Sequence, residues 1–254
     1  MDRLRTVASL ETPTKLLAAA LRDEPGRPLY TFYDDATGER IELSVKTFEN
    51  WVAKTANLLQ DGLGVDAGER IAIMLPSHWQ GAVWMVAAWS AGLIVDLDAT
   101  ADAAVIVTGP DTIEAACAVG AHEVVALSLR PLGGAFTEPL PDGVVDYGAE
   151  VLTFGDVFSP LGSTDPEQPL LGRGDDLLDG MQLVSSALER ATALGLGEGA
   201  RVLTGANPVG PKGYLDALLA PLARNGSIVL VRNPDPDLVD QHARDEKATH
   251  TFLT

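Results

Sequence analysis

The sequence predicts an α/β protein of two similar lobes, each a mainly parallel sheet flanked by helices. Three observations carry this expectation. Short, nearly continuous apolar runs alternate with helical periodicity from Gly68 to Leu127 and again from Gln182 to Leu253, the pattern of buried strands joined by crossover helices. Leu63-Gly-Val-Asp-Ala-Gly-Glu-Arg-Ile-Ala-Ile aligns without a gap on Leu194-Gly-Leu-Gly-Glu-Gly-Ala-Arg-Val-Leu-Thr, with identities at four of eleven positions. Between the two series, residues 131–175 interleave six prolines with eight glycines, which reads as a connector.

Thr12-Pro13 sets an N-cap followed by proline at the first helical position, and Leu16, Leu17, Ala20 and Leu21 form one apolar face before Pro25. Tyr30 to Asp34 and Arg40 to Leu43 alternate on either side of Asp35-Ala-Thr-Gly38 and predict a hairpin. Ser44 caps a helix in which Phe48, Trp51, Val52, Leu58 and Leu59 recur at helical spacing. Gly68 to Leu75 reads as a buried strand, and Ser77 with Gln80 has capping-box spacing before the apolar helix Ala82 to Ala91. Gly92 stops that helix, and Leu93 to Leu97 is the next strand. Ala103 to Thr108 and Glu123 to Leu127 extend the sheet around a helix from Ile113 to Val119.

Only weak strand signals, at Val144-Val145 and from Val151 to Phe154, interrupt the Pro/Gly-rich segment. Beyond it come a helix from Gln182 to Leu194, a strand from Ala200 to Thr204, a helix from Tyr214 to Leu222 and a strand from Ser227 to Arg232. A helix from Leu238 to Glu246 and a strand from Thr249 to Leu253 complete the series. The expected organisation is a first lobe over 70–130, a connector over 131–175, and a second lobe joining 1–69 to 176–254. The self-match leaves duplication and convergent loop chemistry both open.

Charge narrows the function classes. The 254 residues carry 36 acidic and 18 basic side chains, a net charge of −18 at pH 7, and such a field repels nucleic acid and anionic membrane surfaces. No apolar run is long enough to span a bilayer, and Met1-Asp-Arg-Leu-Arg leads into a helical pattern without a signal-peptide core. These features predict a cytoplasmic protein without membrane insertion. The single cysteine, Cys117, rules out an internal disulfide and is expected on an apolar helix face. His78, His122, His242 and His250 have no metal-ligand spacing. His78 is expected in the first turn of its helix. Asp96 and Asp98 leave a strand together and could hold a cation, but alternation beside a turn explains them more cheaply. Trp79, Trp84 and Trp89 cannot share one helical face, so at least one is expected at an interface between lobes or subunits.

The hairpin and helix from Tyr30 to Leu59, Gly-Glu-Arg-Ile-Ala-Ile-Met-Leu-Pro-Ser over 68–77, and Ala-Trp-Ser-Ala-Gly-Leu-Ile-Val-Asp-Leu-Asp over 88–98 resemble the opening of an AMP-forming acyl-CoA synthetase. That family belongs to the adenylate-forming, AMP-binding superfamily. The stretch from Leu194 to Thr254 resembles a later part of the same enzymes. The resemblance implies the two-lobed fold of their N-terminal domain, and ATP, AMP, coenzyme A or an acyl group as ligand.

Departures from the family pattern bear on activity. A Thr-Ser-Gly-Thr-Thr-Gly-x-Pro-Lys-Gly type phosphate loop belongs between the two matching stretches, and residues 150–185 hold nothing like it. The 254 residues also stop before the place where the resemblance implies an aromatic-Gly-x-Thr-Glu motif, a ribose-binding aspartate and a C-terminal domain with its catalytic lysine. One run ends in the same Pro-Lys-Gly, and its candidate phosphate-binding residues are Thr204, Gly205, Asn207, Gly210, Lys212 and Gly213. They would gather amides and a cation at a helix N-terminus, or else simply build a strand-to-helix turn. The expectation is a non-catalytic binding or assembly module that forms a homodimer, because the resembled enzymes cover this region with further domains. The alternative is an ATP-dependent acyl-CoA or acyl-AMP ligase with a degenerate site or a partner chain supplying the missing parts.

Overall fold

The computed structural model describes residues 11–100, 102–162 and 165–253; the expected helical pattern at Met1 to Arg5 lies outside them. Helix α1 (Pro13–Asp23) starts as the sequence dictates, with the Thr12 hydroxyl accepting from the Lys15 amide. Strands β1 (Pro28–Asp34) and β2 (Glu39–Ser44) pair as an antiparallel hairpin. Ser44 caps α2 (Val45–Asn57), which runs on into a π turn at Leu58–Gly62. Strand β3 (Arg70–Met74) leads to α3 (Trp79–Ser90), followed by β4 (Ile94–Asp96), β5 (Val105–Thr108), α4 (Ile113–Val119) and β6 (Glu123–Ala126).

The Pro/Gly-rich segment, expected as a connector, is built into a sheet. It supplies β7 (Val144–Asp146), the short α5 (Tyr147–Glu150) and β8 (Pro169–Arg173), whose hairpin partner is β9 (Asp176–Asp179). Val151 to Thr153, read as a weak strand, is a 3-10 turn. After β9 come α6 (Gly180–Ala193), β10 (Arg201–Thr204), a π turn at Leu215–Leu219 running into α7 (Ala220–Leu222), β11 (Ser227–Arg232), α8 (Pro236–Asp245) and β12 (His250–Phe252).

Two sheets result, ordered β12-β10-β11-β1-β2 and β7-β6-β5-β3-β4-β8-β9. All pairings are parallel except the hairpins β1–β2 and β8–β9. The order shows a repeat larger than the eleven-residue match. Each half begins with a hairpin and a capped helix, passes a glycine-bearing turn, and then lays down three parallel strands in the spatial order third, first, second. These are β5-β3-β4 in one half and β12-β10-β11 in the other. The hairpins are exchanged: β1 adds beside β11, and β8 adds beside β4. Gly64 and Gly195, at φ 66° and 70°, and Gly68 and Gly199, at φ 91° and 70°, occupy matching left-handed positions in the two turns, where glycine avoids the Cβ clash.

Helix α3 lies between the sheets, touching β1 on one side and β3 and β4 on the other. Every residue from Trp79 to Trp89 is buried, which explains why its sequence is apolar all round and not striped. The Trp89 indole donates to the Leu170 carbonyl of β8 at 3.0 Å, and Trp84 packs 5.2 Å from Tyr147. Helix α4 covers the far face of the larger sheet, and α8 that of the smaller. Cys117 corrects the expectation of a buried thiol: α4 buries only Ala116, and the cysteine is exposed. The segment after α5 is strapped to α2, where Asn57 donates to the Gly155 and Val157 carbonyls at 3.0 Å and Lys54 pairs with Asp156 at 2.8 Å. No helix among the described residues is long and apolar enough to cross a membrane.

Candidate functional site

The carboxyl ends of β3, β10, β11 and β1 converge around the first turn of α3, the place in open α/β sheets where ligands are usually held. His78, and not Ser77, is the N-cap of that helix: its Nδ1 accepts from the Gln80 amide at 3.3 Å. The proton of the neutral ring therefore sits on Nε2. Phe32 meets the imidazole edge-on at 4.6 Å. Burial, with the Arg232 charge adding to it, pushes the His78 pKa down to about 3. At neutral pH the ring is therefore held neutral, with Nδ1 used as the helix cap and Nε2 buried without a partner.

The run from Thr204 to Gly213 lies beside this turn. Asn207 Nδ2 donates to the Leu75 carbonyl at 2.9 Å, and Val209 fills the space beside Gly81. Several of its groups are engaged within the loop itself. Thr204 Oγ1 accepts from the Ala206 amide, Asn207 Oδ1 from the Val209 amide, the Asn207 carbonyl from the Gly210 amide, and the Gly210 carbonyl from the Gly213 amide. A Cβ on Gly213 would stand 1.6 Å from the Asn207 carbonyl oxygen, so glycine there is demanded by the fold of the turn. Gly205 packs near Leu253, and Lys212 is exposed at the end of the loop. The amides of Ala206, Val209, Gly210 and Gly213 already have acceptors, and Lys212 is the cation the loop presents outward.

The segment in which the phosphate loop was expected is the β8–β9 hairpin, and it reverses in two residues. Arg173 pairs with Asp176, leaving only Gly174, at φ 49°, and Asp175 between the strands. Gly172 is pressed against the opposite strand, since a Cβ there would lie 2.2 Å from the Asp176 carbonyl oxygen. Arg70 secures the turn, donating to the Gly174 carbonyl at 2.6 Å and to Asp96 at 3.3 Å. Arg173 faces Asp98 at 3.6 Å. Asp96 and Asp98, which the sequence reads more cheaply as turn residues than as cation ligands, thus have guanidinium partners. The signal for this hairpin was present in sequence, as a Gly-Asp pair between Leu170-Leu171 and Leu177-Leu178, but neighbouring prolines and glycines masked it. The remaining histidines are apart: His242 bonds Asp35 at 2.8 Å, His250 bonds Thr249 at 2.8 Å, and His122 is exposed.

Comparison with known proteins agrees with this architecture. The AMP-binding enzyme family model matches residues 17–125. A protein of Mycobacterium tuberculosis (strain ATCC 25618 / H37Rv) described as a TIGR03089 family protein is 40% identical over 251 residues, an alignment spanning 96% of this chain and 100% of that protein. The crystal structure of Brucella canis acyl-CoA synthetase superposes with a TM-score of 0.79 at 17% identity, over 100% of this chain and 50% of the synthetase. This chain therefore spans about half the length of that enzyme. It belongs to the TIGR03089 family and carries an acyl-CoA synthetase-like fold, with residues 17–125 matching the AMP-binding enzyme family model.

Proposed function

We propose that this chain is an acyl-CoA synthetase-like protein that serves as a non-catalytic binding or assembly module and does not itself adenylate carboxylates. The observation that carries this reading is the two-residue reversal between β8 and β9. Adenylation brings an anionic carboxylate onto an α-phosphate, and it needs donors and cations fixed around the charge that develops. Loss of one such donor costs roughly 3–4 kcal/mol in comparable oxyanion sites. Here the hairpin turn presents Asp175 and Asp176 where a cradle of amides and hydroxyls would be needed, and the net charge of −18 opposes nucleotide approach. The test is calorimetric titration with ATP and magnesium, AMP and coenzyme A. The reading predicts no saturable ATP binding at millimolar nucleotide, and a micromolar dissociation constant for ATP would contradict it.

A second reading, a ligase whose missing parts come from another chain, draws on the Pro-Lys-Gly at 211–213 and on the outward Lys212. It requires that Lys212→Ala abolish any nucleotide-dependent signal. We also propose a cytoplasmic homodimer, supported by Leu152, Val157 and Leu161, which are 61%, 78% and 86% exposed within ten residues of one another. Light scattering at micromolar concentration should return twice the chain mass, and a monomer would contradict this.

A further inference from the structure

The cleft beside the tip of the β1–β2 hairpin carries chemistry that none of the readings above uses. Strand register places three side chains in one row across the five-stranded sheet: Arg232 of β11 opposite Asp34 of β1, and Asp34 opposite Glu39 of β2. Residues in register on neighbouring strands project to the same face. The row forms one wall of a cavity of about 620 Å³, and the other wall comes from the carboxyl ends of β5 and β6, including Asp111 and Arg130. The volume is that of a small-molecule site, and the position again follows the rule that ligands sit outside the carboxyl ends of parallel strands.

The groups in this row are left with unused bonding capacity. Arg40, Arg70, Arg190 and Arg201 are each held by a carboxylate, whereas the Arg232 guanidinium has no hydrogen bond or ion pair with any described residue. Glu39 Oε1 is buried without a partner, although a buried acceptor ordinarily finds a donor. Burial first, and then the Asp34 charge, raise the Glu39 pKa, while Arg232 opposes them. Asp34 between them is immobilised, its Oδ1 accepting from the Ala36 amide at 3.1 Å and from Asn233 Nδ2 at 2.8 Å.

We propose that this cavity binds a small organic anion bearing a hydrogen-bond donor, with the anionic group on Arg232 and the donor, an amino or hydroxyl group, on Glu39. Asp34, Glu39 and Asp111 share the space with Arg40, Arg130 and Arg232, a balanced set that suits a singly charged anion better than a polyphosphate, so this site is chemically distinct from a nucleotide triphosphate cradle and stands whether or not the protein adenylates. A carboxylate and a phosphate ester are the two sources of such an anion.

The experiment is a thermal-shift titration of the full chain with glycine, lactate, glycerol 3-phosphate, acetate and pyrophosphate. Glycine or lactate identifies a carboxylate ligand, and glycerol 3-phosphate a phosphate ester. At ten times its dissociation constant a binding probe raises Tm by roughly 3–6 °C. Acetate, which lacks the donor, and pyrophosphate, which is a polyanion, should each do less. Arg232→Gln, at a half-buried and unpaired position, should abolish the shift measured from its own unliganded Tm, and Glu39→Ala should weaken donor-bearing probes about tenfold or more. The proposal is overturned if none of the three donor-bearing probes shifts Tm, if pyrophosphate binds best, or if the shift survives in Arg232→Gln.

Discussion

His78 ties the stability of this fold to pH. In the unfolded chain its imidazole takes up a proton near pH 6.5, whereas burial and the Arg232 charge delay that event to about 3 in the folded chain. Between these values the unfolded state binds more protons, so stability falls as pH is lowered through the window, by up to about 1.4 kcal/mol per unit. His78→Asn retains an acceptor for the Gln80 amide and cannot protonate. Its urea midpoints between pH 6.5 and 5 should therefore fall less steeply than those of the parent, and an identical slope would contradict the assignment. Glu246 acts lower in the pH range. Burial raises its pKa, but hydrogen bonds from Tyr33, Arg40 and Arg201 outweigh that and hold it below the ordinary value of 4.5. Its contribution is present above pH 4.5 and lost as pH falls through the depressed value. Glu246→Gln should cost roughly 1–3 kcal/mol at pH 7, read from thermal unfolding, and a neutral result would mean the network adds nothing. The His78 cap was not legible in sequence because Ser77 and Gln80 offered a conventional capping pattern one residue earlier; only tertiary burial of the imidazole against Phe32 selects the other register.

At the scale of elements, the β8–β9 hairpin depends on two different properties of glycine. Gly174 needs its left-handed backbone and has open space around it, whereas Gly172 needs the absence of a side chain against Asp176 and Leu177. Gly174→Ala should cost about 1 kcal/mol, and Gly172→Ala roughly 2–4 kcal/mol. Equal effects in chemical denaturation would contradict the close packing of the hairpin. Regular elements with strong periodicity were readable from sequence: α1, α2, β3, α3 and β10 fall within a few residues of expectation. The hairpin at 169–179 was not readable, because five- and four-residue strands among prolines carry too few alternating positions to outweigh a loop-like composition. In the 204–213 loop, Pro-Lys-Gly was visible but the bonding of the amides was not, since which carbonyl each amide meets is decided by the folded turn.

Across the whole molecule, the exchanged hairpins and the shared helix make the two halves one cooperative body. Each sheet takes a hairpin from the other half, and α3 contributes its whole surface to the core that spans both. Trp84→Ala, at a site with no solvent exposure, should cost roughly 3–5 kcal/mol and lower the unfolding of both sheets together. Circular dichroism and tryptophan fluorescence should then report one transition, and two separated transitions would contradict the interlocked architecture. The same rigidity bears on function, because a phosphate loop could be restored only by opening the β8–β9 turn that Arg70 and Arg173 secure. The most direct measurement of the central claim is ATP–pyrophosphate exchange with a panel of short- to long-chain fatty and aromatic acids, run on the wild-type chain beside Lys212→Ala. The account predicts background exchange for every acid in both proteins; exchange clearly above background in the wild type that is lost in Lys212→Ala would contradict it and make Thr204 to Gly213 a working phosphate loop.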